Sequence, residues 1–220
     1  MPQSLDPRFD VLPAAQQQIW NALAAASRLG FVLYGGTAIA LHLGHRRSID
    51  FDFFRSEPLD KEQIRAEIAF ISGATVLQDT PNTLVILAEM PAGAVKISFF
   101  GGIGFGRVGD PLVTRDGVLL IASLDDLMAT KLKVILDRAE AKDYRDIAAM
   151  ISARISLPMG LGAFRQMFAG EPAQVLRAIG YFKDGDLPTL SQEDQQLLRS
   201  ERDRVGVLPA VPLKSRLLVA

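Results

Sequence analysis

Two carboxylates, two residues apart, interrupt an otherwise apolar segment of the chain. Asp50 and Asp52 alternate there with Ile49, Phe51 and Phe53. Because side chains i and i+2 of a strand point to the same face, both carboxylates should project into one small space. Such a pair repels unless a proton or a cation lies between the groups, and one or two carboxylates plus substrate phosphates commonly hold Mg²⁺. The segment therefore predicts a central strand on which Asp50 and Asp52 bind Mg²⁺.

A pair of glycines precedes this strand. Gly35 and Gly36 follow a short apolar strand predicted over residues 31–34, and Thr37 is expected to open a helix that ends at Gly44. Glycine allows backbone N–H groups to approach phosphate oxygens closely, and a helix N-terminus favours anions. A phosphate-binding turn ahead of a carboxylate pair is the layout needed to bind a nucleoside triphosphate for phosphoryl or nucleotidyl transfer.

A lysine lies within the apolar stripe of a later helix, predicted to run from about residue 124 to Arg138. Lys131 falls at i+3 and i+4 spacing from the apolar residues of that stripe, and Arg138 shares the same face. A buried cation needs a partner, and a triphosphate, Asp143 or Asp146 would serve. Two interpretations stay open: Lys131 contacts a nucleotide, or it reaches past the core to pair with these aspartates.

These motifs resemble the polymerase-beta-type nucleotidyltransferase superfamily. The string from Gly35-Gly36-Thr37 to Asp50-x-Asp52 is similar to its first motif, and residues 38–47 resemble the AbiEii/AbiGii branch. That branch contains the nucleotidyltransferase toxins of abortive-infection and toxin–antitoxin systems. Lys131, Arg138 and the stretch Lys142-Asp143-Tyr144-Arg145-Asp146 resemble a second signature of the branch. The resemblance covers residues 31–151 and is only vague elsewhere.

The resemblance implies an enzyme that binds Mg²⁺ and a nucleoside triphosphate and transfers a nucleotide to an RNA or protein acceptor. It also implies a toxin role with an antitoxin protein as partner. Lys131 and Arg138 would neutralise charge that develops during the transfer. The predicted catalytic residues are Asp50, Asp52, Lys131 and Asp143, and the predicted nucleotide-binding residues are Gly35, Gly36, Thr37 and Arg138.

One departure from the superfamily pattern limits this expectation. Many members supply a third carboxylate from a later strand, and the matching segment here carries Ser98 at that place. Serine cannot replace the missing charge, so a second metal ion would be held weakly or not at all. Either one metal suffices, or another acid such as Asp143 compensates, or the chain is a catalytically inactive nucleotide-binding or protein-interaction module on the same fold.

Composition excludes several other classes of protein. The chain has 220 residues, 49% of them hydrophobic and 22% charged, which is enough to build a full core. A net charge of −1 provides no global basic field, so a nucleic acid would have to bind a local basic patch. The absence of cysteine excludes disulfides and thiolate chemistry. Since no apolar run is long enough to span a bilayer, we expect a soluble, cytoplasmic protein with no membrane partner.

The order of predicted elements indicates an α/β (α+β) fold. We expect a nucleotidyltransferase-type mixed sheet with flanking helices in a catalytic region over residues 1–122. A helical C-terminal region should follow over residues 123–220. Residues 104–109 spell the dinucleotide-binding pattern G-x-G-x-x-G, but no helical pattern follows them, so we expect a flexible loop.

Overall fold

The residues that form the sheet and those that form the later helices belong to two separate units. In the computed structural model, which describes residues 4–219, the first unit comprises residues 4–106, 110–123 and 215–219. The second comprises residues 107–109 and 124–214. Residues 215–219 return to the first unit, where the Leu218 N–H donates to Ser56 Oγ at 2.9 Å.

A mixed sheet forms the centre of the first unit. Its strands are β1 Ser4–Leu5, β2 Val32–Tyr34, β3 Asp50–Phe54, β4 Thr75–Thr80, β5 Thr83–Met90, β6 Gly93–Phe100, β7 Leu112–Thr114 and β8 Leu120–Ile121. Within residues 4–219 these eight strands lie in the order β1-β7-β8-β2-β3-β6-β5-β4, and β3 pairs with β2 in antiparallel and with β6 in parallel direction. The carboxylate-bearing strand β3 is therefore flanked on both sides, as its apolar composition predicts.

Four helices within the described residues 4–219 belong to the first unit: α1 Ala14–Ile19, α2 Ala24–Arg28, α3 Gly35–Leu43 and α4 Lys61–Glu67. The single helix predicted over residues 13–29 is interrupted, because Trp20–Leu23 adopts a 3-10 conformation between α1 and α2. A capping hydrogen bond from the Gln63 N–H to Asp60 opens α4, as the sequence predicts.

Aromatic side chains fill the core beneath the middle of the sheet. Phe31, Phe53 and Phe99 are fully buried, with ring centroids 5.2 Å apart for Phe31 and Phe99 and 5.5 Å apart for Phe53 and Phe99. Burying large apolar side chains is the main favourable term in folding, so this cluster anchors β3 and β6 against Phe31, the residue directly before β2. The core thereby fixes the register of the strand that carries the carboxylates.

Helices make up the second unit: α5 Leu124–Asp137, α6 Ala141–Ser152, α7 Leu157–Phe168, α8 Pro172–Ile179 and α9 Gln192–Asp203. Helices α5 and α7 pack closely, because a Cβ at Gly160 would come within 2.3 Å of Met128 Cγ. Ser191 caps α9 by accepting the Asp194 N–H, as predicted. No helix in residues 4–219 combines the length and the apolar character needed to cross a membrane.

Candidate active site

Strand β3 presents two different faces. Phe51 and Phe53 are fully buried on one face, whereas Asp50, Asp52 and Phe54 are half-buried on the other. Both carboxylates therefore project from the same side of the sheet, as their spacing predicts. The apolar face anchors the strand, and the other face leaves the carboxylates accessible to a ligand.

Gly35 forms the closest contact beside the carboxylate pair. Its φ of +73° is left-handed, and a Cβ at this position would come within 2.5 Å of Asp52 Oδ2. The prediction that Thr37 opens the helix is wrong: α3 begins at Gly35, directly after the extended Tyr34. A residue without Cβ can pass from strand to helix in one step. The Asp52 carboxylate thus lies beside the first turn of α3, where backbone N–H groups have no partner within the helix.

The Thr37 side chain joins helix α3 to the start of β3. Thr37 is 1% exposed, its hydroxyl donates to the Asp50 carbonyl oxygen, and its Oγ1 lies 2.7 Å from Ser48 Oγ. A hydroxyl carries one proton, so the Ser48 hydroxyl donates to Thr37. Since these bonds engage the side chain, phosphate binding by Thr37, which the sequence predicts, would fall to its backbone N–H.

Strand β6 contributes a second pair of residues to the same face. In the parallel register, Asp50 lies opposite Lys96 and Asp52 lies opposite Ser98. Ser98 is 2% exposed, whereas Lys96 is exposed. Sequence reasoning considered Ser98 but missed Lys96, although a spacing of two residues from Ser98 puts both on one face.

A metal ion bound at this face would need more ligands than the two carboxylates supply. Within residues 4–219, no group of three or more His, Cys, Asp and Glu side chains is arranged to hold a metal ion. Asp50 and Asp52 alone would have to share the ion with oxygens of a ligand and of water. Mg²⁺ is commonly bound in this way, through one or two carboxylates and substrate phosphates, so the pair fits this ion.

Aromatic rings continue the carboxylate face beyond Asp52. Tyr34 and Phe54 stack with ring centroids 4.9 Å apart and an interplanar angle of 14°. Phe105 meets both rings near edge-on, and Phe100 contacts Phe54 at 5.2 Å. These rings pack around Tyr34, the residue from which α3 starts, and thereby support the position of Gly35 and Asp52.

The second unit brings together the predicted Lys131, Arg138 and Asp143. The Lys131 ammonium lies 2.6 Å from Asp143 Oδ1 and 2.7 Å from Asp146 Oδ2, and both aspartate side chains are fully buried. Arg138 Nε donates to Asp143 Oδ2 at 2.8 Å. Burial by itself would raise the pKa of Asp143. The Arg138 hydrogen bond and the Lys131 charge outweigh it and hold that pKa below its ordinary value of 3.8.

Pairing between Lys131 and the aspartates corresponds to one of the two interpretations that the sequence left open. It explains how a cation can lie on the buried face of α5. A lysine paired in this way could also bind a nucleotide. We therefore keep as predictions the catalytic roles of Lys131 and Asp143 and the nucleotide-binding role of Arg138.

Two other conspicuous side chains, His42 and Asp126, have structural partners. His42 Nε2 lies 3.0 Å from the Ala122 carbonyl oxygen, and burial lowers the pKa of this histidine. Asp126 accepts hydrogen bonds from the N–H groups of Val108 and Gly109, at 2.7 and 3.4 Å. Asp126 therefore engages two backbone N–H groups of the G-x-G-x-x-G segment.

Comparison with known proteins gives a family match over most of the chain. The family model described as "Nucleotidyl transferase AbiEii toxin, Type IV TA system" matches residues 18–205. An uncharacterized protein from Aquifex aeolicus is 33% identical over 119 residues, or 53% of this chain. The match spans 55% of that relative, so the chain aligns with about half of its length.

Two solved structures share the fold. A candidate nucleotidyltransferase from H. pylori aligns with a TM-score of 0.55 and 16% identity, covering 86% of this chain and 92% of that one. MenT4, a nucleotidyltransferase toxin from Mycobacterium tuberculosis, aligns with a TM-score of 0.52 and 14% identity, covering 86% and 90%. These likenesses confirm the predicted α/β nucleotidyltransferase fold. The family match over residues 18–205 shows that the chain belongs to the AbiEii family of nucleotidyl transferase toxins.

Proposed function

We propose that this protein binds a nucleoside triphosphate with Mg²⁺ and transfers a nucleotide to an RNA or protein acceptor. One observation carries the proposal: the accessible carboxylate pair lies beside the first turn of α3, where Asp52 contacts Gly35. A bound cation and free helical N–H groups would there meet the two parts of a metal–triphosphate complex. Membership of the AbiEii family supports the same reaction.

Each residue of the carboxylate face has a defined part in this proposal. Asp50 and Asp52 would hold the ion, which would neutralise phosphate charge and polarise the α-phosphate for attack by an acceptor hydroxyl, with the β- and γ-phosphates leaving as pyrophosphate. The N–H groups of Gly36 and Thr37 donate to the distal phosphates, and Gly35 provides the space for Asp52. The Thr37 hydroxyl keeps Asp50 at the start of β3 through the carbonyl oxygen.

We further propose that the residues of the buried ion pairs in the second unit assist the transfer. Lys131 and Arg138 would neutralise phosphate charge during transfer, as the family signature implies. Asp143 binds both cations and fixes their positions. Replacing Lys131 by Met would test this part: a loss of transfer in protein that still melts cooperatively supports it, and unchanged transfer contradicts it.

We further propose that the reaction makes the protein a toxin with a cognate antitoxin protein. The family match supports this role. A net charge of −1 means that an RNA acceptor would bind a local basic patch. Expression of the wild type and of Asp50→Asn in a bacterial host tests the role: growth arrest by the wild type alone is expected, and equal growth of both contradicts it.

Transfer can be measured directly with labelled nucleotides. Purified protein is incubated with Mg²⁺, each α-labelled nucleoside triphosphate in turn, total RNA and a cell protein extract. We expect label in one acceptor class with the wild type and none with Asp50→Asn. The matched control is Glu62→Gln, an exposed carboxylate on α4, which should transfer as the wild type does. Labelling that is equal in wild type and Asp50→Asn, or absent from both, overturns the proposed enzyme.

A second candidate function is a nucleotide-binding module without catalysis. Ser98 beside Asp52 favours it, because no third carboxylate stands there to hold a second metal ion. Calorimetric titration with and without Mg²⁺ separates the two candidates. Tight Mg²⁺-dependent binding without transfer supports the module, binding with transfer supports the enzyme, and no binding contradicts both.

A further inference from the structure

We propose that Lys96 binds the nucleotide at the carboxylate pair by contacting its α-phosphate. The proposal rests on the function proposed above and adds a residue to that site. According to this proposal, the Lys96 ammonium supplies positive charge on the β6 side of the site, two residues from the uncharged Ser98.

The sheet register puts Lys96 next to the carboxylates. Lys96 is directly opposite Asp50 in the parallel β3–β6 pair, and neighbouring strands lie about 4.8 Å apart. Val95 and Ile97 are buried, so Lys96 projects from the other face of β6, the one it shares with Asp50 and Asp52. A lysine stem of four carbons can bring its ammonium over this pair.

The Lys96 ammonium is also available for a ligand. Lys96 is exposed, and among residues 4–219 no side chain or backbone group forms an ion pair or a hydrogen bond with its ammonium. Two other cations of the first unit differ in this respect, since Lys61 pairs with Asp79 and Arg55 lies over the Phe31 ring. Lys96 therefore combines a fixed backbone position with an uncommitted charge.

Charge balance explains why an anion would bind there. Asp50 and Asp52 together neutralise one divalent cation, so the loaded pair has no net charge with which to attract a triphosphate. The ammonium of Lys96 adds that charge. A charge-assisted hydrogen bond from an ammonium to a phosphate oxygen is among the stronger polar contacts in proteins.

The order of the strands selects the α-phosphate. Helix α3 starts from β2 on one side of β3, and Lys96 lies on β6 on the other side. The two donors are thus separated by two strand spacings, or about 10 Å. In the proposed site, the α3 N-terminus on the β2 side would hold the distal phosphates, and Asp50 and Asp52 on β3 would hold the metal ion. The α-phosphate would then be the phosphate group nearest β6. Lys96 would also face an acceptor hydroxyl that approaches the α-phosphate from that side.

A simpler role for Lys96 would be to pair with Asp50 across the strands. The two roles make opposite predictions for Lys96→Met. A cross-strand partner competes with the metal, so its removal would strengthen binding of Mg²⁺ or Mn²⁺ alone and leave the nucleotide affinity equal or higher. A phosphate ligand contributes nothing to binding of the metal alone, but its removal weakens binding of the metal–nucleotide complex.

Calorimetry on the full chain distinguishes these roles. Each of ATP, GTP, CTP and UTP is titrated into wild type in the presence of Mg²⁺, and the tightest binder is then titrated into Lys96→Met and Lys96→Arg. Mn²⁺ alone is titrated into all three proteins and followed by electron paramagnetic resonance. The matched control is Lys183→Met, an exposed lysine outside the sheet. Thermal melting checks that every variant is folded.

We expect Lys96→Met to bind the metal–nucleotide complex about tenfold more weakly or worse, with Mn²⁺ affinity not reduced. Lys96→Arg should retain most of the affinity, and Lys183→Met should equal the wild type. Nucleotide affinity of Lys96→Met equal to or above that of the wild type overturns the inference alone. Failure of the wild type to bind any of the nucleotides overturns the proposed function and this inference together.

Discussion

The Asp52 carboxylate packs against the Cα of Gly35, the left-handed residue from which helix α3 starts. Two different properties of glycine are required there: a positive φ and the absence of a Cβ. They can be separated by experiment, because Gly30 has nearly the same φ, +77°, but nothing within 4 Å of its Cβ position.

Gly35→Ala should therefore destabilise the protein more than Gly30→Ala. Each alanine has the backbone cost of a left-handed residue, about 1–2 kcal/mol, but only Ala at 35 would also displace Asp52. Chemical denaturation measures the difference between the two variants. Equal losses of unfolding free energy would show that the Asp52 contact relaxes without cost, and the proposed coupling between turn and carboxylate would be wrong.

Thr37→Val should lower the free energy of unfolding by about 1–3 kcal/mol, because it leaves the Asp50 carbonyl and the buried Ser48 hydroxyl without their partner. Valine preserves the shape of the side chain. The control is Thr37→Ser, which keeps the hydroxyl and should lose less. If Thr37→Val were as stable as the wild type but bound nucleotide poorly, the hydroxyl would be a ligand for phosphate and not a link between α3 and β3.

Gln16→Met should stabilise the protein. Gln16 on α1 is 1% exposed, and no group in residues 4–219 hydrogen-bonds to its amide nitrogen or oxygen. Replacing an unsatisfied buried amide by an apolar side chain of similar length removes a cost of about 1–3 kcal/mol.

The neighbouring Gln17 provides the matched control for this change. Its amide donates to the carbonyl oxygens of Phe9 and Leu12, at 3.3 and 2.8 Å, so Gln17→Met should be destabilising. Thermal and chemical unfolding of both variants gives the comparison. A loss of stability in Gln16→Met would mean that the buried amide is hydrogen-bonded after all.

The Asp143 ion pairs should make stability depend on pH in the acid range. Because the folded-state pKa of Asp143 lies below 3.8, its contribution is complete above the unfolded-state value and is lost as the pH falls through the lowered pKa. At neutral pH, Asp143→Asn should be less stable than the wild type by about 3–5 kcal/mol, since it leaves Lys131 and Arg138 short of a partner.

The difference between wild type and Asp143→Asn should narrow as the pH is lowered below about 4, when the wild-type carboxylate itself takes up a proton. Urea unfolding at a series of pH values measures it, and other acidic groups cancel in the difference. Asp137→Asn is the control, because its exposed pair with Lys133 should contribute little at any pH. A difference that stays constant with pH would contradict the lowered pKa.

Local patterns predicted the parts of the fold that depend on neighbours in sequence. The alternation around Asp50 and Asp52 gave the correct strand face, and the stripe on α5 correctly indicated that Lys131 is buried and needs a charged partner. Short strands were missed: β7 and β8 have three and two residues, too few to show a periodic pattern. The predicted start of α3 was two residues too late, because a glycine with a left-handed φ in the first turn of a helix does not change the hydrophobic periodicity of the sequence.

The part of the site that sequence could not supply depends on pairing between distant strands. Asp50 and Lys96 are separated by many residues and by β4 and β5, and only the register of β3 with β6 makes them neighbours. An exposed lysine on a strand is ordinary when considered alone. Its importance arises from the position of another strand, which the periodicity of its own segment does not encode.

The return of residues 215–219 to the first unit has a consequence for synthesis. The Leu218 backbone bonds to Ser56, and its side chain is 1% exposed. A ribosome must therefore release the whole second unit before the nascent first unit can acquire its last segment. Fragments that stop after residue 123 would contain all eight strands of the sheet but lack this segment, so the first unit is complete only after residues 215–219 have left the ribosome.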